Sequence, residues 1–158
     1  MPRKIIIAAM DKNGLIGTNE GKGLPWDIPE EYEQYLKKVA GQTVIMGRKT
    51  YELSGYDLTS QFTFIISRDF PRSEKYIVCS TVDEALKKAE AFGKDIYIAG
   101  GSSIYAQTLG LADYMHLSYI KGEYSGTSYF PEFNHHQWEV EKREDFPRYE
   151  LVIYRRKR

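Results

Sequence analysis

The chain has 158 residues, 22 of them basic and 22 acidic, with three histidines and a single cysteine. This length suits one compact domain spanning 1–158. The neutral balance gives no field for gathering nucleic acid or an anionic membrane, and one cysteine excludes an intrachain disulfide.

No apolar run approaches the roughly 20 residues of a membrane helix. The opening "MPRKIIIAAMDKNG" lacks the longer apolar region and small-residue cleavage site of a secretory signal, so the sequence predicts a cytoplasmic protein. His135 and His136 are adjacent, a poor spacing for shared ligation, and no metal site is predicted. The basic end, Arg155 to Arg158, reads as a solvated tail after a final strand.

"KIIIAAM" (4–10) reads as a continuous apolar strand, the kind covered on both faces of a sheet. "TVIMG" (43–47), "FTFIIS" (62–67), "KYIVCS" (75–80) and "DIYIAG" (95–100) have the same character. Cys79 falls in one of these strands and reads as a small core residue.

Helical patterns fill the gaps at 29–40, 81–92 and 102–110, and Thr81 with Glu84 has the form of a capping box. Strands alternating with helices predict an α/β fold with a largely parallel sheet. The segments 113–124, 138–146 and 149–158 are strand-like with little helix between them, and Pro147-Arg148 marks a turn. They predict antiparallel strands finishing one edge.

The stretch "GLPWDIPEEYEQY" (23–35) starts the first helix, with Pro29 at the position where a missing N–H costs nothing. Asp27 with Glu30 has the spacing of a cap and its box partner. Ile28, Tyr32, Tyr35, Leu36 and Val39 follow helical spacing and mark the buried stripe. Glu31 falls on that stripe.

A carboxyl in an apolar cleft is a candidate proton donor, or a clamp for an amidine-like ligand. A glutamate in a first turn also arises simply because it favours the helix dipole.

"IAGGSSIY" (98–105) sets two glycines between a strand and a helix, where free N–H groups hold a pyrophosphate or simply make a strand-to-helix turn. "MGRKT" (46–50) repeats the logic with Arg48 and Lys49 where a helix begins and Thr50 as its cap, and "ISR" (66–68) adds Ser67 and Arg68. Three such strand ends together suit a polyanion such as NADP.

"IIAAMDKNGLIG", "LPWDIPEE", "VIMGRKTYE", "FIISR", "TVDEAL", "IAGGSSIYAQTL" and "YFPEF" stand in the order and spacing of bacterial dihydrofolate reductases, and the resemblance covers essentially the whole chain. It implies an eight-stranded, mostly parallel mixed sheet with flanking helices and an antiparallel C-terminal edge. It also implies a monomeric, cytoplasmic antifolate target that reduces dihydrofolate to tetrahydrofolate with NADPH.

Glu31 matches the family's active-site acid and Trp26 the tryptophan beside it. The resemblance puts Ile7, Ala8, Tyr32, Tyr35 and Leu58 on the substrate side, with the Ser118 hydroxyl supporting the acid. It puts Ala9, Ile16 and Gly17 beside the nicotinamide. Gly47, Arg48, Lys49, Thr50, Ser67 and Arg68 fall on the adenosine-phosphate side, and Gly100, Gly101, Ser102, Ser103, Ile104 and Tyr105 form the pyrophosphate turn. In this family a cis peptide usually joins the paired glycines, and a mobile loop resembling "GLIGTNEGKGLPW" closes over the nicotinamide.

The sequence departs from the pattern at Gln61, where the family usually has an arginine that grips the α-carboxylate of the folate tail. Such a charged contact is worth roughly 1.5–3 kcal/mol. Thr59-Ser60 replaces the usual Pro-Gly, Tyr32 replaces an aliphatic or phenyl wall, Ala99 replaces a bulkier aliphatic, and the closing loop is about two residues longer by alignment. Either Lys37 or Lys38 takes the tail, or the natural substrate has none. Two other readings stay open: a same-fold reductase of another pterin or of a riboflavin-pathway pyrimidine, and a non-catalytic NADPH-binding protein.

Overall fold

The computed structural model of the chain describes residues 2–17, 24–55 and 57–158. Ten strands and four helices run in the order β1 (Lys4–Met10), β2 (Leu15–Gly17), α1 (Pro29–Val39), β3 (Thr43–Gly47), α2 (Arg48–Ser54), β4 (Phe62–Ile66), β5 (Ile77–Cys79), α3 (Val82–Glu90), β6 (Ile96–Ile98), α4 (Ser102–Thr108), β7 (Tyr114–Ile120), β8 (Ser128–Tyr129), β9 (Trp138–Asp145) and β10 (Tyr149–Arg156). Eight strands form one sheet in the order β5-β4-β3-β6-β1-β7-β10-β9, and β2 pairs with β8 in a separate ribbon. Six strands of the large sheet are parallel; β10 runs antiparallel between β7 and β9, as the helix-poor C-terminal sequence predicts, but β7, which that reading grouped with them, lies parallel to β1.

The period-2 alternation of the strands decides which helix covers which face. Ile5 and Ile7 of β1 pack with Val44, Met46 and Tyr97 under Val39 of α1. Ile6, Ala8 and Met10 point the other way, with Ile45, Ile96 and Ile98, against Ala85, Leu86 and Ala89 of α3 and Ile104 and Tyr105 of α4. The central strands are thus covered on both faces, which is why their sequences are continuously apolar rather than alternating. A third cluster, Trp26, Ile28, Ile120, Tyr149 and Leu151, seals the start of α1 onto β7 and β10.

Two helix starts differ from the sequence expectation. Asp27 does not cap α1: the capping position is Ile28, without a side-chain bond. Glu30 instead takes a two-pronged contact from Arg148 in the β9–β10 turn, at 2.5 and 2.6 Å, and a guanidinium fork outcompetes a neutral N–H for a carboxylate. Thr50 lies inside α2, whose capping position is Gly47, so it is no cap.

The α3 box forms as a shifted pair. Thr81 Oγ1 accepts from the Glu84 N–H at 3.1 Å, while Glu84 accepts from the N–H of Ser80 at 2.9 Å.

Candidate active site

In the parallel part of the sheet β1, β3, β4 and β6 end on the same edge, and a cleft of about 470 Å3 opens there. Ligands of open α/β sheets gather at this edge because loops and helix starts converge on it. Ile7, Ala8 and Ala9 from the end of β1 form its floor. Ile16 and Gly17 of β2 and Leu24 close one side, Glu31, Tyr32 and Tyr35 of α1 another, and Gly47 to Thr50 with Gly100 to Tyr105 the far end.

Most of the residues singled out in the sequence therefore meet. Leu24, Leu53, Ala99 and Ser128 also line the wall; the sequence offered no chemical signal for Leu24, Leu53 or Ser128, which are ordinary apolar or small residues.

Five of the sequence-predicted positions stand outside that wall. Ser118 lies behind Glu31 and reaches the site only through it. Trp26 is buried beneath the entry to α1, edge-on to Tyr124 with ring centres 5.4 Å apart. Its indole N–H is buried and lacks a partner among the described residues. Leu58 packs into the core beneath α1. Ser67 and Arg68 stand one strand further out at the end of β4, where Ser67 Oγ bonds Asp69 at 3.2 Å. The tip of the predicted closing loop, 18–23, lies outside the described residues.

Glu31 is half-buried on the sheet-facing side of α1, and the Ser118 hydroxyl donates to its Oε2 at 3.1 Å. Burial disfavours the ion and raises its pKa; the Ser118 bond and the positive charge of Lys38 oppose that rise. An acid so placed holds its proton to higher pH than an ordinary carboxyl and, when ionised, can accept a bidentate pair from an amidine-like edge. Beside it the Tyr32 hydroxyl donates to Asp57 in the loop after α2, and the Tyr35 phenol is pushed upward by burial.

The far end is built for close backbone approach. Gly100 has φ +111°, and a Cβ there would meet the Tyr105 ring and hydroxyl at 3.2–3.4 Å. Its bareness lets the Tyr105 hydroxyl donate to the Ile7 carbonyl at 2.7 Å, tying α4 to the floor. The Gly100–Gly101 peptide is cis, and the Gly100 carbonyl accepts from the Gly47 N–H at 2.8 Å. No side-chain bond is made at the capping position of α2 or α4, and both helix starts line the cleft. Arg48 is exposed, 3.7 Å from Glu52.

Lys38 does not reach toward a substrate tail. It turns inward to His116, 3.2 Å from Nδ1, which leaves Lys37, exposed on the last turn of α1, as the outward-facing member of the pair. Gln61 is exposed at the start of β4.

A family model described as dihydrofolate reductase matches residues 4–156. Dihydrofolate reductase HdrB of Haloferax volcanii is 30% identical over 98% of this chain and 84% of its own length. Dihydrofolate reductase type A13 of Escherichia coli is 33% identical over 87% of this chain and 83% of its own. A solved structure of dihydrofolate reductase from Enterococcus faecalis, complexed with NADP(H) and RAB-propyl, superposes with a TM-score of 0.88 at 24% identity, covering 99% of this chain and 97% of that one.

Proposed function

The chain belongs to the dihydrofolate reductase family, and from that premise we propose that it reduces 7,8-dihydrofolate to 5,6,7,8-tetrahydrofolate with NADPH. The observation that carries this reading is Glu31, a single half-buried carboxyl on the wall of a cleft whose other end is a paired-glycine turn.

The far end fits a dinucleotide. Two helix starts line it, and at Gly101 a side chain would come into contact with Thr50 Oγ1 at 3.4 Å. We assign the pyrophosphate to Gly100–Ser103 and the adenosine phosphate to Arg48 and Lys49, with Thr50, Ser67 and Arg68 around it. Ala9, Ile16, Gly17 and Tyr105 would flank the nicotinamide. When bound, NADPH supplies the hydride that C6 of the pterin gains.

The chain's own residues bind, orient and protonate. Glu31 clamps the 2-amino group and N3 of the pterin, a contact that fixes which ring edge faces the cofactor site. Burial raises its pKa, which favours the protonated acid and so supports protonation at N5. Ser118 holds Oε2 so that the carboxyl keeps one orientation. Ile7, Ala8, Tyr32 and Tyr35 form the apolar slot around the ring, which excludes water and strengthens each of these contacts. Trp26 and Leu58 act from behind that slot, packing the elements that carry it.

We place the protein in the cytoplasm as a monomer with one small-molecule substrate, without nucleic acid or membrane. The zero formal charge supports this, as does the lack, among the described residues, of any helix long and apolar enough to cross a membrane.

A second reading has a specific observation behind it. Gln61 is neutral and exposed, Asp57 sits beside Tyr32 at the mouth, and Lys38 faces inward. These favour a dihydropterin without the glutamate tail. Turnover of dihydrofolate against a tailless dihydropterin, each followed by NADPH oxidation, separates the two. A dihydrofolate kcat/KM at least equal to that of the tailless compound supports the first reading. A strong preference for the tailless compound supports the second, and no oxidation with either between about pH 5 and 8 overturns both.

A further inference from the structure

We propose that Lys38 is a positioning residue for the acid: a half-buried cation, seated on the His116 imidazole, that supports the charge of Glu31 along the seam between α1 and β7. This rests on the reductase reading only for its purpose; the arrangement itself is visible in the fold.

The seam is set by two registers. In β7, His116 and Ser118 are two residues apart and pair with Ile7 and Ala9 of β1, so both point to the face covered by α1. In α1, Glu31 and Lys38 are seven residues apart, two turns along one stripe and roughly 10 Å in rise. The upper contact is Ser118 to Glu31 at 3.1 Å and the lower is Lys38 to His116 at 3.2 Å. One pair faces the cleft, and the other lies behind it.

A lysine in the last turn of a helix commonly lies in solvent beside the C-terminal carbonyls. Lys38 instead leans against an imidazole, an acceptor that offers no compensating negative charge. An ammonium at Nδ1 requires the lone pair there, so the ring carries its proton on Nε2. Burial, with the positive charges of Lys38 and Arg3, keeps His116 neutral down to about pH 3, although Asp95 opposes them. Tyr97 packs edge-on to the ring at 6.0 Å.

Burial lowers the Lys38 pKa to about 8; Glu31 on its own helix and Glu144 on β9 raise it, and Lys142 on β9 lowers it. The cation therefore discharges just above neutral pH, and while charged it favours the ionised form of Glu31.

Coupling of this kind is reciprocal. Two unit charges roughly 10 Å apart in a partly buried seam shift each other by about half to one pH unit.

The test is a carbon-13 NMR titration of the Glu31 carboxyl and the Lys38 Cε, in the protein without cofactor or substrate. Lys38→Met should raise the Glu31 midpoint by about half to one pH unit, and Lys38→Arg should leave it near the native value. Glu31→Gln should lower the Lys38 midpoint by the same amount, which keeps the test open if Lys38→Met fails to fold. Midpoints that move by less than about 0.2 pH unit in both Lys38→Met and Glu31→Gln overturn the proposal. So does a Lys38→Arg midpoint that follows Lys38→Met. These readouts need no turnover, so an inactive enzyme would count against the proposed reaction and leave this proposal standing.

Discussion

Removing one hydroxyl tests how the acid is tuned. Ser118→Ala deletes the bond to Glu31 Oε2 at 3.1 Å and leaves the β7 backbone, paired with β1 through Ala9, as it is. A hydrogen bond to a charged group is worth about 1.5–3 kcal/mol, and each pH unit of altered acidity corresponds to about 1.4 kcal/mol. A full loss would raise the Glu31 pKa by about one to two pH units. The cleft is open to water, which can replace part of the bond, so the expected rise is about one unit.

The assay is the pH dependence of kcat/KM for dihydrofolate, beside a carbon-13 titration of the carboxyl. An acid that keeps its proton longer moves the high-pH decline of activity upward. Thermal denaturation serves as the control, since Ser118 is buried and a loss of stability would have to be separated from the shift in acidity. A decline that stays where it is in the native enzyme, or moves to lower pH, refutes the role given to Ser118 and the origin given to the raised Glu31 pKa.

Glu31 should also cost stability. Its folded pKa lies above the ordinary carboxylate value, so between the two the folded state holds more protons, and stability falls as pH rises through that window. Glu31→Gln removes the penalty: calorimetry should show a higher Tm than native at pH 7 and no difference near pH 3, and a lower Tm at pH 7 contradicts the burial argument. Gly100→Ala forces a side chain onto φ +111° and against the Tyr105 ring at 3.2–3.4 Å. Strain of about 1–3 kcal/mol should weaken NADPH binding by roughly five- to a hundredfold in a fluorescence titration, and native affinity would exclude that turn from the cofactor site. Ile98, fully buried on β6, should lose roughly 2–5 kcal/mol on truncation to alanine. At about 2–4 °C per kcal/mol the Tm falls by roughly 4–20 °C, and a fall under about 2 °C denies Ile98 its place in the core.

The sequence showed clearly what has a short-range period. β1 was legible because six consecutive residues, Ile5 to Met10, are apolar, a run that a strand covered on both faces sustains. Glu31 was legible because a charge fell on an otherwise apolar stripe at helical spacing. The glycine pair was legible because a turn into a helix needs a bare backbone.

Long-range competition was not legible. Asp27 and Glu30 had the spacing of a capping box, yet Arg148, 118 residues away, claims Glu30. Lys38 was a candidate to hold the folate tail, and only the β7 register brings His116 beneath it, 78 residues along the chain. The β2–β8 ribbon, of three and two residues, is too short to show any period, although it carries one side of the cleft.

Sequence resemblance assigned Ser67 and Arg68 to the cofactor side; they stand at the end of β4, one strand beyond the cleft wall, where the proposed adenosine phosphate would reach them.

The most direct measurement compares NADPH oxidation by the native protein and by Glu31→Gln, with dihydrofolate at neutral pH. The proposed function requires that the native protein turn dihydrofolate over and that the variant lose about 10²–10⁴ in kcat/KM, while its NADPH Kd stays native because the acid lies at the other end of the cleft. Turnover by the variant within about threefold of native, or none by the native protein, contradicts it.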